Sequence, residues 1–390
     1  MLSKNNPQRN IAFLVPAGFW NGGKNYMKNL FLAMRTIPGT PYLPIVFTGT
    51  DNAISPTDYA GVTVVQTPLL TRKSIPWIVR KAISVALGKD ILLGRLLRRH
   101  SVVALSHIMQ ANATVGLPTL AWIPDFQHVH LPQFFDEEER AFRDRNLKGL
   151  CASDKIIVSS LSAQKDLEAF DSSSIGRIEC LRFVASPISG VNSPSSAEIA
   201  ERYGFAGPFF LLPNQFWEHK NHQVVVDALA ILRKRGERIL VLATGPTHDD
   251  RRPQFFDSLM AHVAEQNVTE QFRVLGQIPF DDLLGLMRDC VALLNPSKFE
   301  GWSTSVEESK SMGKHVILSD IPVHQEQAPK LGHYFAVNDA ESLANVMQAV
   351  LQSFSAEQDR AMRQRAHEEF PERQKHFAKQ YAEILDRALI

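Results

Sequence analysis

Two glutamates eight positions apart, Glu300 and Glu308, stand in the segment Pro296-Ser297-Lys298-Phe299-Glu300-Gly301-Trp302-Ser303-Thr304-Ser305-Val306-Glu307-Glu308. An apolar run precedes this segment and a stretch of helical period follows it. Glu300 therefore falls in a strand-to-helix loop, with Glu308 about one turn into the helix, and both carboxylates can face one ligand. Gly301, Trp302, Ser303 and Thr304 lie between them. Glycine and small hydroxyl residues let backbone N–H groups approach that ligand, and a helix N-terminus attracts an anion such as phosphate. Glu307, the neighbouring acid, reads as structural or solvated. A second cluster, Asn214-Gln215-Phe216-Trp217-Glu218-His219-Lys220-Asn221-His222, follows another apolar run. Lys220 is expected to begin a helix, where its ammonium and the free amides can hold a diphosphate.

The elements that position these residues follow from the pattern. Short apolar runs at 11–15, 43–47, 62–66, 102–106, 119–123, 155–159 and 178–183 alternate with longer segments of helical period. After a linker at 188–207, which holds Pro194 and a serine-rich turn, the alternation restarts at 209–212, 239–244, 272–275, 291–294 and 315–318. Alternation of this kind gives βαβ units and parallel sheets. The reading is α/β: two Rossmann-like doubly wound domains, 1–187 and 208–370, facing across a cleft, where open sheets bind ligands beyond their strand ends. A C-terminal helical stretch from about 340 is expected to break at Pro371, with 371–390 returning to the first domain.

The segment around Glu300 and Glu308 resembles the signature of the large fourth family of retaining nucleotide-sugar glycosyltransferases of the GT-B fold, Glu-x7-Glu preceded by Pro-Ser and followed by Gly. The resemblance is specific from about 209 to 322. It implies that Glu300 lies by the donor sugar hydroxyls and that Glu308 binds the ribose. The family also carries a lysine at the position of Lys220, and an arginine about five residues earlier. Here Asn214 and Gln215 stand in that place, which leaves one positive charge fewer; His219 or backbone groups are expected to substitute. Gly276 and Ile278 match the loop that meets the nucleobase, and Thr244-Gly245-Pro246 ends a strand beside it. Gly22 and Gly23 resemble the family's glycine-rich loop, followed here by a helix from about Lys24. His128, with Asp125 and more weakly His130, matches a position that contacts the donor sugar or orients the acceptor.

What the resemblance implies is transfer of a hexose, mannose being the expectation, from a nucleoside diphosphate sugar to a glycan or lipid-linked glycan, as in bacterial surface polysaccharide assembly. A sugar-nucleotide 2-epimerase and a catalytically silent nucleotide- or glycan-binding partner are the alternatives. No cofactor or metal is expected: Asp249-Asp250 and Asp281-Asp282 read as a loop tip and a helix start. The net charge of +1, from 42 basic and 41 acidic residues, gives no global field for nucleic acid. Cys151, Cys180 and Cys290 are few and scattered, which suits a reducing cytoplasm rather than a disulfide framework. No signal-peptide core and no run of membrane-spanning length is evident.

One local departure from neutrality remains, at 72–100. Arg72, Lys73, Arg80, Lys81, Lys89, Arg95, Arg98 and Arg99 face a single acid, Asp90, and are interleaved with Trp77, Ile78, Ile83, Leu87 and other apolar residues. Two readings stay open: an amphipathic element on an anionic membrane surface, or an apolar face packed on the N-terminal sheet with its charges in solvent.

Overall fold

The structure, a computed structural model, describes residues 8–52, 59, 61–111, 114–186 and 194–390. The chain divides into two compact units: Met1–His128, Asp136–Val184 and Glu372–Ile390 in one, Val129–Phe135 and Ala185–Pro371 in the other. The first part of the expected linker, 188–193, lies outside the described residues.

In the first unit β1 (Arg9–Leu14), β2 (Tyr42–Thr48), β3 (Thr63–Gln66), β4 (Val102–Ile108), β5 (Thr119–Ile123), β6 (Lys155–Val158) and β7 (Ile178–Cys180) form one sheet. Its order is β3-β2-β1-β4-β5-β6-β7 and its pairs are parallel, with Phe13 of β1 opposite Val46 of β2. Around it run α1 (Asn21–Met34), α2 (Ile75–Leu87), α3 (Ile91–Arg99), α5 (Glu137–Leu150) and α6 (Leu161–Phe170), and the short α4 (Gln127–His130) begins in this unit and ends in the other.

The second unit opens with α7 (Ser196–Tyr203), capped by Ser195 and closed at Gly204. Strands β8 (Phe209–Leu212), β9 (Leu240–Thr244), β10 (Phe272–Gly276), β11 (Ala292–Asn295), β12 (His315–Ser319) and β13 (Gly332–Phe335) form a parallel sheet ordered β10-β9-β8-β11-β12-β13. Between them lie α8 (His222–Lys234), α9 (Phe255–Glu265), α10 (Phe280–Asp289), α11 (Thr304–Met312) and α12 (Pro322–Gln327), followed by α13 (Ala340–Ser353) and α14 (Ala356–Ala388). All four residues of β8, Phe209-Phe210-Leu211-Leu212, are buried. A strand covered by helices on both faces needs such a continuous apolar run. Strand order reverses between β1 and β4 in one sheet and between β8 and β11 in the other, and such switch points open a crevice at the strand C-terminal ends.

The α/β class and the two parallel-sheet Rossmann-like domains expected from the sequence are present. Three local expectations are corrected. The sequence suggested no strand beyond 318, yet β13 adds an edge; Gly-His-Tyr-Phe opens on a glycine and a histidine, and its apolar residues come only at its end. Helix α14 passes through Pro371 without a break, and the interruption falls earlier, at Phe354 and Ser355. Beyond Pro371 the helix belongs to the first unit: buried Tyr381 donates its hydroxyl to Ser106 Oγ at 2.9 Å, and Arg387 pairs with Glu179 at 2.7 Å. The third concerns α2, whose buried residues are Arg80 and Ser84 while Ile75, Ile78, Val79 and Val85 are exposed. For α2 the reading of an apolar face packed on the sheet, with Arg80 in solvent, is therefore reversed; α3 fits it, burying Leu93 and Leu97 against the core of the first sheet while Arg95, Arg98 and Arg99 are exposed. Arg80 donates to Asp90 at 2.8 Å and to the Leu69 carbonyl, and Asp90 also caps α3 through the Leu93 amide.

Candidate active site

Lys220 and Glu300 emerge from the C-terminal ends of β8 and β11, the adjacent strands at the switch point of the second sheet. Lys220 does not begin the helix, as expected, but ends a 3-10 turn, Glu218–Lys220, directly before it. Asn221 follows with a φ of 59°, in the left-handed region that asparagine tolerates better than most side chains. Its amide nitrogen donates to the Pro296 carbonyl at 3.1 Å, and the Lys298 amide donates to the His219 carbonyl at 2.8 Å. These two bonds tie the β8 loop to the β11 loop.

The outcome is a direct contact: Lys220 Nζ donates to Glu300 Oε1 at 2.6 Å. Ser297 Oγ lies 2.7 Å from the same Oε1 and 2.7 Å from Asn295 Oδ1, so its one proton serves two acceptors. Among the described residues Oε2 of Glu300 has no hydrogen bond. Burial by itself would raise the Glu300 carboxyl; the Lys220 ammonium and the bonds from Lys220 and Ser297 outweigh it and hold the group at about 2. The carboxylate is ionised, and Lys220 keeps two N–H donors for a second anion.

Glu308 sits in the second turn of α11, half-buried, with no hydrogen bond or ion pair among the described residues. Burial pushes its carboxyl up to about 7. Glu307 is the structural acid, 1% exposed and held by Lys310 at 2.9 Å and Gln327 at 3.2 Å. Gln327 of α12 also grips the start of α11: its Oε1 accepts from the Ser303 amide at 3.2 Å and its Nε2 donates to the Ser303 carbonyl at 3.0 Å. The Ser303 amide is thus engaged within the protein, which corrects the expectation that it faces a ligand. Gly301, Trp302 and Thr304 are half-buried around it.

The expected replacement for the missing arginine is corrected as well. His219 is 4% exposed, and burial together with the Lys220 charge depresses its pKa to about 3, so it is neutral. Two cations from the loop after β9 lie beside this turn: Arg252, with Nε 3.5 Å from Glu218 Oε2, and Arg251, whose guanidinium lies 5.3 Å from the Trp217 ring centre and acts electrostatically on His219. Sequence reading passed over Arg251, which directly follows the Asp249-Asp250 pair read as a loop tip. Asn214 is buried, its side-chain nitrogen lacking a partner among the described residues, and Gln215 is half-buried.

His324 of α12 was also missed. It is fully buried, its Nδ1 lies 2.9 Å from the Ser319 carbonyl, and its Nε2 has no hydrogen-bond partner among the described residues. Burial lowers its pKa. Gly245 has a φ of 136°, and a Cβ there would lie 2.6 Å from the Asn214 carbonyl oxygen, so glycine is required where the β9 loop meets the β8 loop. The Gly245 amide donates to the Gly276 carbonyl at 2.9 Å. Ile278 packs half-buried against the apolar cluster of Leu286 and Leu293. A cavity of 680 Å³ lined by Asn221, Lys298, Arg251 and Arg252 flanks these loops, but neither Glu300 nor Glu308 lines it.

In the first unit Gly22 and Gly23 lie in the first turn of α1, not in a loop before it. A Cβ on Gly22 would lie 2.8 Å from Trp20 Nε1, and one on Gly23 2.7 Å from Phe19 Cζ, so both glycines pack against these two aromatic rings. Asp125 Oδ1 accepts from the Gln127 amide at 3.0 Å, starting the turn of α4. Buried His128 places Nε2 3.1 Å from Asp144 Oδ1. His130, which belongs to the second unit, is exposed and stacks on Phe299 of the same unit, with ring centres 5.1 Å apart.

Residues 198–369 match the family model described as Glycosyl transferases group 1. No curated protein matches the chain in sequence. Among solved structures, a glycosyltransferase from Rickettsia africae is 16% identical, with 98% of this chain and 96% of that one covered and a TM-score of 0.67. Anabaena HepE, in complex with UDP and glucose, is 16% identical over 97% of this chain and 100% of that one, with a TM-score of 0.67. The lipopolysaccharide outer core galactosyltransferase WaaB in its apo form is 14% identical over 97% and 99%, with a TM-score of 0.61. At such identities these likenesses concern the fold. Together with the family match they support a glycosyltransferase group 1 domain over residues 198–369 in a chain of GT-B fold.

Proposed function

We propose that this protein transfers a hexose from a nucleoside diphosphate sugar to a hydroxyl of a glycan or lipid-linked glycan, with retention of anomeric configuration. The observation that carries the reading is the Lys220–Glu300 contact at the switch point, with Glu308, unpartnered among the described residues, on the helix that follows. Lys220 uses its two remaining N–H groups on the donor diphosphate, and its charge counters the negative charge that grows as the anomeric C–O bond breaks. Free amides of the first turn of α11 face the same anion. Glu300 Oε2 accepts from donor sugar hydroxyls, and Glu308 accepts from the ribose. The acceptor oxygen bonds to the anomeric carbon, and its proton passes to the departing phosphate oxygen on the same face. Arg251 supports the diphosphate side in place of the absent arginine. The Anabaena HepE complex with UDP and glucose, and WaaB as a lipopolysaccharide enzyme, support the donor and acceptor classes by analogy. The three cysteines, Cys151, Cys180 and Cys290, form no disulfide among the described residues, which suits action on the cytoplasmic side.

Incubation with GDP-mannose, UDP-glucose and dTDP-glucose, with release of nucleoside diphosphate measured, tests this reading. Release of one diphosphate, raised by a glycan acceptor, is expected. A second reading, a catalytically silent binding partner, is favoured by the neutrality of His219 where a cation was expected. It would show as a thermal shift with a nucleoside diphosphate but no turnover, and no shift with any of the nucleotides sinks both.

A further inference from the structure

We propose that α2, with the basic residues flanking it, docks this protein on the surface of an anionic lipid bilayer. The proposal goes beyond the donor-site reading and does not depend on it. A helix on a globular protein ordinarily buries its apolar stripe and exposes its polar one. In α2 the polarity is inverted. Ile75, Ile78, Val79, Ala82, Val85 and Ala86, which fall on one side at helical spacing, are all exposed, with Ile75 at 77% and Val85 at 83%. The inward side carries Arg80 and Ser84, and the 3%-exposed Arg80 is anchored by Asp90 and by the Leu69 carbonyl. The outward stripe is therefore held in place by a buried ion pair on the opposite side, and the helix cannot roll it inward without stranding two charges.

The charge around this stripe selects the partner. Asp90 is the one acid between 68 and 100, and it is consumed by Arg80. Arg72 and Lys73 before α2, Lys89 after it, and Arg95, Arg98 and Arg99 on α3 are all exposed. Arg95, Arg98 and Arg99 share one face of α3, at i, i+3 and i+4. An apolar stripe bordered by cations matches a surface with an acyl interior and anionic headgroups. A second copy of this chain fits poorly, because a two-fold contact would set the cations of one copy against those of the other.

The full chain is sedimented with vesicles of phosphatidylcholine alone or mixed with phosphatidylglycerol, at low and high salt. Binding to the mixed vesicles only, reduced by salt, is expected. Val85→Asp on the stripe and the double change Arg98→Glu with Arg99→Glu each weaken it by at least about tenfold. Both sites are exposed, so melting temperatures stay near that of the parent, and either variant decides if the other fails to fold. Arg80 is left unaltered, since its loss would act on folding. No binding to anionic vesicles at low salt overturns the proposal, as does binding that neither variant weakens. Concentration-dependent dimerisation abolished by Val85→Asp, without vesicle binding, would assign the stripe to a second copy and overturns it too.

Discussion

Lys220 and Glu300, 80 residues apart in sequence, meet at 2.6 Å because one loop's asparagine side chain and one backbone amide lace two neighbouring strand ends together. The pair is largely buried, with side chains 15% and 11% exposed. Removing one partner should therefore register in stability as well as in chemistry.

Lys220→Ala should lower stability by about 3 kcal/mol, the cost of leaving a buried carboxylate without its counter-charge. Turnover should fall by roughly two to three decades, further than affinity for the bare nucleoside diphosphate falls. Denaturant titration and diphosphate-release kinetics check the two halves separately. A fully active Lys220→Ala enzyme would rule out the phosphate site.

Acid should expose the Glu300 contribution. Its folded pKa is depressed to about 2 from the ordinary 4.5. The stabilisation is fully present above 4.5 and is lost as pH falls through that window towards about 2. Glu300→Gln removes this component, so its melting temperature should fall less steeply over the same range than that of the parent. Parallel slopes would show that the carboxylate is not held as described.

Glu308 has the opposite sign. Its carboxyl is raised to about 7, so ionising it in the folded protein costs stability that is absent below 4.5 and complete above about 7. Glu308→Gln should melt higher than the parent at alkaline pH and match it in acid. If Glu308 accepts from ribose hydroxyls, nucleoside diphosphate affinity should rise with pH through about 7 in the parent and be flat in Glu308→Gln. Glu308→Ala should lose about one to two decades of affinity, as expected when a charged hydrogen bond is removed. Calorimetric titration across that range gives both results.

Two glycines near the site separate crowding from backbone conformation. At Gly276 a Cβ meets nothing within 4 Å and only the φ of 67° resists it, so Gly276→Ala should cost about 1 kcal/mol. At Gly245 the Cβ would strike the Asn214 carbonyl as well. Gly245→Ala should therefore cost about 1–3 kcal/mol more and disturb the loop that leads to Lys220. Equal melting points for the two variants would show that the β9 loop can yield.

The strand-loop-helix setting of Glu300 and Glu308 was legible because motif and periodicity are local in the chain. What those carboxylates touch was not. Gln327 and His324 come from a short helix some twenty residues onward and belong to no recurrent pattern, so only the folded sheet shows that one clamps Ser303 and the other is buried at the end of β12. Sequence reading picked out Trp77, Ile78, Ile83 and Leu87 as the apolar residues of this segment, whereas the exposed stripe of α2 runs through Ile75, Ile78, Val79 and Val85. Periodicity cannot say which side faces the protein, and here the buried Arg80–Asp90 pair reverses the usual answer. Pro371 looked like a stop because proline removes one helical hydrogen bond, yet thirty-three residues of α14 continue on both sides of it.

The continuity of α14 also bears on how the protein is made. Residues Glu372–Ile390 complete a unit whose other parts end at Val184, and Tyr381 occupies a fully buried position in it. A ribosome must therefore synthesise the whole second unit before the first can close its core. The second unit, nearly contiguous from Ala185 to Pro371, has everything but the short Val129–Phe135 segment in one stretch and can assemble as it emerges. The order of folding then runs against the order of synthesis, and the N-terminal sheet waits with its apolar face open for a helix encoded almost two hundred codons later.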